Sequence, residues 1–198
     1  MGKPVGLTRE RILDAALALV DRDGLAKLSM RRLGAELGVE AMTLYHHVPN
    51  KDALLDGVVE RVIAGTRPSP EPGLDWIAGF ARSLRRALLA HPRVVPLLAS
   101  RPISTPGGLA MLERALEALA EIGLSPIEGA SLLNAVATFA VGHVLAEVPA
   151  DTEPDLPDLA EYPRVARAVA DGLGTPADHE ARFESVLKAL LSGLGPAL

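Results

Sequence analysis

The chain has 198 residues, of which 48% are hydrophobic and 3% aromatic, and its formal net charge is −5. The hydrophobic residues are mainly Ala, Leu and Val, so the composition favours helices over sheets. Cysteine is absent, which excludes a disulfide framework, a thiol nucleophile and a thiolate metal site.

The charged residues are distributed unevenly. Residues 1–66 are electroneutral, and the excess of acid lies wholly in residues 67–198. The N-terminal part can therefore present a basic face to nucleic acid in spite of the negative total. The first residues lack the apolar core of a signal peptide, and polar side chains interrupt the apolar stretch 132–145, which is too short and too polar to span a bilayer. We therefore expect a cytoplasmic protein with no membrane partner.

The N-terminal part carries clear helix-start and helix-stop signals. Thr8, Ser29 and Asn50 are residue types that cap helices, and each precedes a segment with apolar residues at helical spacing. Asp23-Gly24 ends the first of these segments, and Gly38 ends the second. The pattern predicts four helices, near residues 9–23, 30–37, 40–47 and 51–65.

The second and third predicted helices have the spacing of a helix-turn-helix. Gly34 is small enough for two helices to cross closely, and Gly38, four residues later, can adopt the positive φ of a tight turn. The positions expected to face the core are Leu33, Leu37, Val39, Leu44 and Val48. The outward side chains of the third helix are short or polar, which suits a helix in the DNA major groove. Spacing alone leaves open an ordinary corner between two helices of a bundle.

The remainder of the chain is also predicted to be helical. Residues 67–73 are rich in proline and mark a boundary between two domains, 1–66 and 67–198. Six further helices are predicted near residues 74–91, 94–100, 106–122, 126–147, 159–172 and 177–191. Residues 149–163 are acidic and proline-rich, which indicates a mobile surface loop. The predicted fold is all-α, with an N-terminal three-helix helix-turn-helix domain and a C-terminal helical domain.

The run GVEAMTLYHHVPNKDALLD, from Gly38 to Asp56, resembles the tetracycline-repressor (TetR) family. Leu-Tyr followed by Asn-Lys-x-x-Leu is specific to that family's recognition helix and the start of its fourth helix. A weaker similarity to the C-terminal domain of the tetracycline repressors extends over most of residues 74–147. The resemblance implies a transcriptional repressor that binds palindromic double-stranded operator DNA as a homodimer and responds to a small-molecule effector.

The resemblance also implies which residues bind DNA. Carried over by position, the interface contains Ser29, Met30, Arg31, Ala41, Met42, Thr43, Tyr45, His46 and Lys51. Arg31 would reach a base edge or a phosphate, the hydroxyls of Thr43 and Tyr45 would donate to phosphates, and Lys51 would pair with a phosphate. Surface charge is the alternative for Arg31 and Lys51, and a core position is the alternative for Tyr45. His47 has a structural role or contacts a phosphate. Ala41, Met42 and His46 differ from the tetracycline repressors, so the preferred operator should differ too.

The effector site is expected to need no metal or other cofactor. The tetracycline repressors bind their drug as a magnesium chelate, and the positions that supply its polar contacts carry Phe80, Leu97 and Ala115 here. These apolar replacements imply a small, mostly apolar effector. The predicted pocket contains Phe80, Leu84, Leu97, Met111 and Ala115, with Asn134, Thr138 and His143 as polar anchors. Thr138 and His143 could instead form hydrogen bonds in a dimer interface, which we place on the helices near 126–147 and 177–192.

Two other classes of function have less support in the sequence. His91, His143 and His179 form no recognisable arrangement with a nucleophile and an acid, and neither a phosphate loop nor a calcium loop can be identified, so we predict that the chain is not an enzyme. An architectural DNA-binding protein without an effector is the alternative. The C-terminal domain is larger than dimerisation alone needs, and this favours a ligand-responsive repressor.

Overall fold

The computed structural model describes residues 6–66, 68, 73–148 and 158–193. Its ten α-helices over these residues are α1 (Arg9–Asp23), α2 (Met30–Leu37), α3 (Ala41–Tyr45), α4 (Lys51–Ala64), α5 (Leu74–Ala90), α6 (Val95–Ser100), α7 (Pro106–Ala120), α8 (Pro126–Glu147), α9 (Pro163–Ala170) and α10 (Pro176–Ser192). Short 3₁₀ turns lie at Leu25–Lys27, Pro92–Val94 and Leu159–Glu161, and the described residues contain no β-strand. The predicted all-α fold is confirmed.

The predicted caps of the N-terminal helices are present. Thr8 accepts a hydrogen bond from the amide of Arg11 (3.3 Å), and Asn50 accepts one from the amide of Ala53 (2.8 Å). Such bonds satisfy amides that lack a partner in the first helical turn. At the other end of α1, Gly24 has a φ of 86°, a conformation that glycine adopts without strain.

The chain forms two compact units, and helices α5 and α7 each contribute to both. The first unit contains the described residues before position 68 together with Arg86–Glu117. The second contains the first part of α5, the last residues of α7 and everything that follows. The predicted domains 1–66 and 67–198 stay a prediction, because Arg86–Glu117 is grouped by its contacts with the N-terminal helices. The predicted mobile loop lies mostly outside the described residues.

In the first unit, α1 contacts α2 and α4, and α4 also contacts α6. Its fully buried side chains include Ile12, Leu19, Leu33, Leu44, Leu54 and Val58. Burying such side chains stabilises a fold by about 1.5–3 kcal/mol each before the cost of chain entropy. This core holds α2 and α3 in a fixed crossing.

In the second unit, α8 packs against α10. The rings of Phe139 and Phe183 are stacked at 5.1 Å, and Phe183 is fully buried. Arg85 of α5 donates hydrogen bonds to Glu147 at the end of α8 (2.9 and 2.7 Å) and also pairs with Glu180 of α10. Arg85 is only 7% exposed, and a charged group that is so deeply buried must be paired, since an isolated one would be strongly destabilising.

Helix α8 departs from one prediction. It has 22 residues and a mean hydropathy of 1.5 over its most apolar window, so by length and composition it could cross a membrane. The prediction that this region is too short and too polar rested on residues 132–145, and the helix extends beyond them at both ends. Only 33% of that window is buried within the chain, and the other residues of the helix are half-buried or exposed.

Candidate DNA interface

Helices α2 and α3 form the predicted helix-turn-helix. Ser29 caps α2 by accepting a hydrogen bond from the amide of Arg32 at 3.2 Å. Gly38 ends α2 in the left-handed conformation, with a φ of 69°. A Cβ on Gly34 would lie 2.8 Å from the carbonyl oxygen of Val39 and 3.2 Å from the amide nitrogen of Ala41. The two helices can therefore approach this closely only because residue 34 has no side chain.

Most of the predicted DNA-binding side chains lie on the surface of the first unit. On α3 and just after it, Met42 is 68% exposed, Tyr45 is 41% exposed, and Thr43 and His46 are exposed as well. Ala41 is half-buried. The exposure of Tyr45 excludes the alternative that it is a core aromatic.

The predicted DNA-binding residues around α2 and α4 include both exposed and buried side chains. Ser29, Arg31 and Lys51 are exposed, and Ser29 also serves as the cap of α2. Met30 is only 7% exposed and belongs to the core. The prediction that Met30 contacts DNA is therefore corrected: it faces inward on the first turn of α2, next to the exposed Arg31.

Ion pairs within the first unit neutralise many of its arginines. Arg22 pairs with Glu36 at 2.9 Å, Arg32 pairs with Asp23 at 2.7 Å, and Arg61 pairs with Asp14. Hydrogen bonds from Arg22 hold the pKa of Glu36 below its usual range, so this carboxylate stays ionised. These arginines are tied to carboxylates and leave little net charge.

Three cations in and around the helix-turn-helix have no such partner. Lys27, Arg31 and Lys51 form no ion pair with any carboxylate in the described part of the chain. Arg31 stands at the start of α2, and Lys51 is the first residue of α4. Unpaired positive charge beside an exposed helix is the electrostatic footprint of a nucleic-acid-binding surface.

Comparison with known proteins decides the family. Residues 12–58 match the family model described as bacterial regulatory proteins, tetR family, and residues 69–197 match the model described as tetracyclin repressor-like, C-terminal domain. The chain belongs to the TetR family. It is a DNA-binding, helix-turn-helix transcriptional regulator, as the resemblance of the recognition-helix motif predicted.

Several relatives of this TetR-family chain are similar over almost its whole length. An HTH-type transcriptional regulator of Saccharopolyspora erythraea is 35% identical, over 97% of this chain and 86% of that protein. The tetracycline repressor protein class D of Escherichia coli is 33% identical, over 94% of this chain and 88% of that protein. The crystal structure of Streptomyces coelicolor ActR in complex with actinorhodin has a TM-score of 0.76 and 31% identity, and the match covers 96% of each chain.

The predicted effector residues of this TetR-family regulator are shared between the two units. Leu97, Met111 and Ala115 belong to the first unit and are half-buried, so their grouping into one pocket stays a prediction. In the second unit, Phe80 is half-buried with its ring stacked on Trp76 at 5.9 Å, and Leu84 is 2% exposed.

The polar members of the predicted effector set have different environments. Asn134 and Thr138 lie on the exposed face of α8. The Nε2–H group of His143 donates a hydrogen bond of 2.9 Å to the carbonyl oxygen of His179. The imidazole packs 5.2 Å from the ring of Phe183. His143 as a polar anchor stays a prediction, and its Nε2 atom is already bound to the backbone of α10.

Sequence reasoning missed the charged groups that converge only in three dimensions. Arg101 forms ion pairs with Asp52 and Asp56 of α4 in the first unit. His91 contacts Asp21 at 2.8 Å in the same unit. The spacing of the acids on α4, four residues apart, was the one available signal, since it places them on one helix face that needs a cation.

Proposed function

We propose that this TetR-family regulator is a repressor that binds a palindromic operator as a homodimer and releases it when a small, mostly apolar effector binds its C-terminal domain. The observation that carries the proposal is the helix-turn-helix, with α3 exposed and with Arg31 and Lys51 unpaired at the starts of α2 and α4. Each of its three parts has separate support.

The DNA part follows from the chemistry of the exposed side chains. Lys51 binds a phosphate, Arg31 reaches a phosphate or a base edge, and Thr43 and Tyr45 donate hydroxyl hydrogen bonds that fix the register of α3 in the groove. Ala41, Met42 and His46 face base edges and select the sequence. The exposed thioether of Met42 suits an apolar contact with a thymine methyl group.

The homodimer part follows from the uncovered surface of α8. Apart from Glu128 in the first turn, the exposed residues of this helix carry no charge, although 23% of the chain is charged. These uncharged residues include Ile127, Ser131, Asn134, Thr138, Gly142 and Leu145. On α10, Val186 is 38% exposed and Leu190 is 40% exposed. A second copy of the chain that packs α8 and α10 into a four-helix interface covers these residues.

The effector part rests on the relatives and on side-chain chemistry. ActR of S. coelicolor has been crystallised with actinorhodin, and a TetR variant of Acinetobacter baumannii with minocycline. Phe80, Leu97 and Ala115 offer neither a metal ligand nor a partner for a hydroxyl group. We therefore infer an effector that binds through apolar contacts and without a metal.

A selection experiment tests the DNA-binding and dimer parts together. The full chain is incubated with a pool of random-sequence duplexes, and the bound fraction is amplified and sequenced. We expect an inverted repeat whose half-site centres lie about one helical turn, roughly 34–36 Å, apart. Enrichment of a single half-site would contradict the homodimer, and no enrichment would contradict sequence-specific binding.

A further inference from the structure

Helix α4 carries a row of acids on one face. Asp52, Asp56 and Glu60 are spaced by four residues, which places them one above the other along the helix. The row begins directly beside Lys51, which forms no ion pair with a carboxylate in the described part of the chain. Uncompensated, these carboxylates would put negative charge next to a residue that we assign to a DNA phosphate.

Each acid of the row is compensated by an arginine from another element. Arg9 of α1 donates two hydrogen bonds to Glu60, at 3.1 and 2.9 Å. These bonds hold the pKa of Glu60 below its usual range, and Thr105 assists by a hydrogen bond of its own. Glu60 is therefore neutralised locally, at the end of the row far from Lys51.

Arg101, which directly follows α6, compensates the two acids nearest Lys51. One terminal nitrogen of its guanidinium lies 2.6 Å from Asp52 Oδ1, and the other lies 2.5 Å from Asp56 Oδ1. The second nitrogen also donates to the backbone carbonyl of Asp52 at 3.3 Å, and Ser104 donates a hydroxyl hydrogen bond to Asp56 at 3.4 Å. A planar guanidinium can bridge two carboxylates in this way, whereas an ammonium is a single point charge.

Asp52 and Asp56 differ in how far their side chains are exposed to solvent. The side chain of Asp52 is 81% exposed, whereas that of Asp56 is 23% exposed. An exposed carboxylate one residue from Lys51 is placed to repel an approaching phosphate. The side chain of Arg101 is 21% exposed, so its cation is partly shielded and close enough to cancel that repulsion.

We propose that Arg101 is an electrostatic determinant of operator affinity that acts without contacting DNA. It neutralises Asp52 and Asp56 and so preserves the positive potential around Lys51. The proposal rests on the proposed function, because it requires the start of α4 to face the operator. It assigns to Arg101 a role through its charge rather than through the shape of its contact.

The experiment compares Arg101→Gln with Arg101→Lys in the full chain. Binding to the selected inverted repeat is measured by fluorescence anisotropy from about 0.05 to 0.2 M salt. Arg101→Gln should weaken binding by about threefold to tenfold at the lowest salt, and the defect should shrink as salt rises. Arg101→Lys keeps the charge, so its affinity should stay within about twofold of the wild type.

Two further variants separate charge from geometry. In the triple variant Arg101→Gln, Asp52→Asn, Asp56→Asn, the repelling charges are gone, so the affinity should return at least to that of the wild type. Arg167→Gln is the matched control, because it removes one arginine from an ion pair with Asp171 on the exposed surface of α9. It should change neither affinity nor salt dependence.

The possible results are distinct. If the triple variant binds as weakly as Arg101→Gln, or if Arg101→Lys is equally weak, the contact acts through its geometry and the proposal is wrong. If Arg101→Gln binds like the wild type at low salt, the proposal is also wrong. If the wild type selects no sequence at all, the proposed function has failed instead. Thermal melts of every variant show whether a loss of binding reflects unfolding.

Discussion

The Nε2–H group of His143 in α8 donates a hydrogen bond of 2.9 Å to the backbone carbonyl of His179 in α10. Burial is the largest influence on this imidazole and lowers its pKa, and the nearby Arg85 and Arg182 act in the same direction. The bond to His179 and the carboxylate of Glu147, 3.9 Å away, oppose the shift without cancelling it. His143 therefore stays neutral in the folded chain at pH values where an unfolded histidine is already protonated.

Lowering the pH should destabilise the folded chain, because it protonates His143. Its folded pKa is depressed, so its contribution to stability is complete above the unfolded pKa of about 6.5 and is lost as the pH falls below that value. We expect the urea midpoint to drop between about pH 7.5 and pH 5.5, and His143→Gln, which keeps a donor for the carbonyl, to reduce this drop. His46→Gln, an exposed control, should leave the pH dependence unchanged. An equal drop in wild type and His143→Gln would contradict the assignment.

Adding a side chain at Gly34, where α2 lies close to the backbone of the turn, should destabilise the fold. In Gly34→Ala the new Cβ meets the backbone of the turn at Val39 and Ala41 rather than a flexible side chain. The free energy of unfolding should fall by about 1–3 kcal/mol, because the backbone must shift to relieve the overlap. Urea unfolding measures this, with Ala35→Ser, an exposed neighbour on α2, as the control. A variant as stable as the control would show that the turn adapts without cost.

Lys51→Ala should weaken binding to every duplex alike. Losing one phosphate contact should reduce affinity by about fivefold to twentyfold. It should also make the negative slope of log affinity against log salt shallower by about one. Lys188→Ala, which removes a lysine from α10, is the control and should leave both quantities unchanged. If Lys51→Ala matches this control, the assignment of Lys51 to a phosphate is wrong.

Changes at Met42 should alter the preferred sequence rather than the salt dependence. The side chain is 68% exposed on α3 and carries no charge, so its substitution removes no phosphate contact. Repeating the duplex selection with Met42→Gln should yield a different base at one or two positions of each half-site. An unchanged consensus would show that Met42 does not face a base.

A charge at Leu190 should break the dimer. The 40% exposure of this leucine in the single chain is expected to vanish when α10 packs against a second copy. Sedimentation velocity at micromolar concentration should therefore show a dimer for the wild type and a monomer for Leu190→Glu. Ala120→Glu adds the same charge at the exposed end of α7 and should remain dimeric. A wild type that sediments as a monomer would contradict the two-half-site mechanism.

The effector should act without a divalent metal. Titrations of actinorhodin and of a tetracycline against the regulator–operator complex, with magnesium and with a chelator, test this directly. Any compound that releases the operator should do so equally well under both conditions and should bind with a negative change in heat capacity. If release by tetracycline requires magnesium, a metal site exists although Phe80, Leu97 and Ala115 offer no metal ligand.

Local sequence was sufficient to determine the helices and the DNA-binding motif. The caps at Thr8, Ser29 and Asn50 and the turn glycine Gly38 act over a few residues, so they can be recognised without knowing the fold. The third helix is shorter than predicted, because α3 ends at Tyr45 rather than near His47. The family resemblance of the recognition-helix run was equally readable, since it is a property of consecutive residues.

Only the tertiary structure decided which charges meet and which side chains are covered. Arg101 lies far along the chain from Asp52 and Asp56, and His143 is similarly distant from His179, so no local pattern could pair them. Met30 and Arg31 are adjacent in sequence, yet one is buried and the other exposed, because successive residues on a helix point about 100° apart and only the packing of α2 determines which direction is inward. Sequence periodicity locates a helix and its apolar face, whereas the partner of a charge and the burial of a single side chain depend on how the helices pack together.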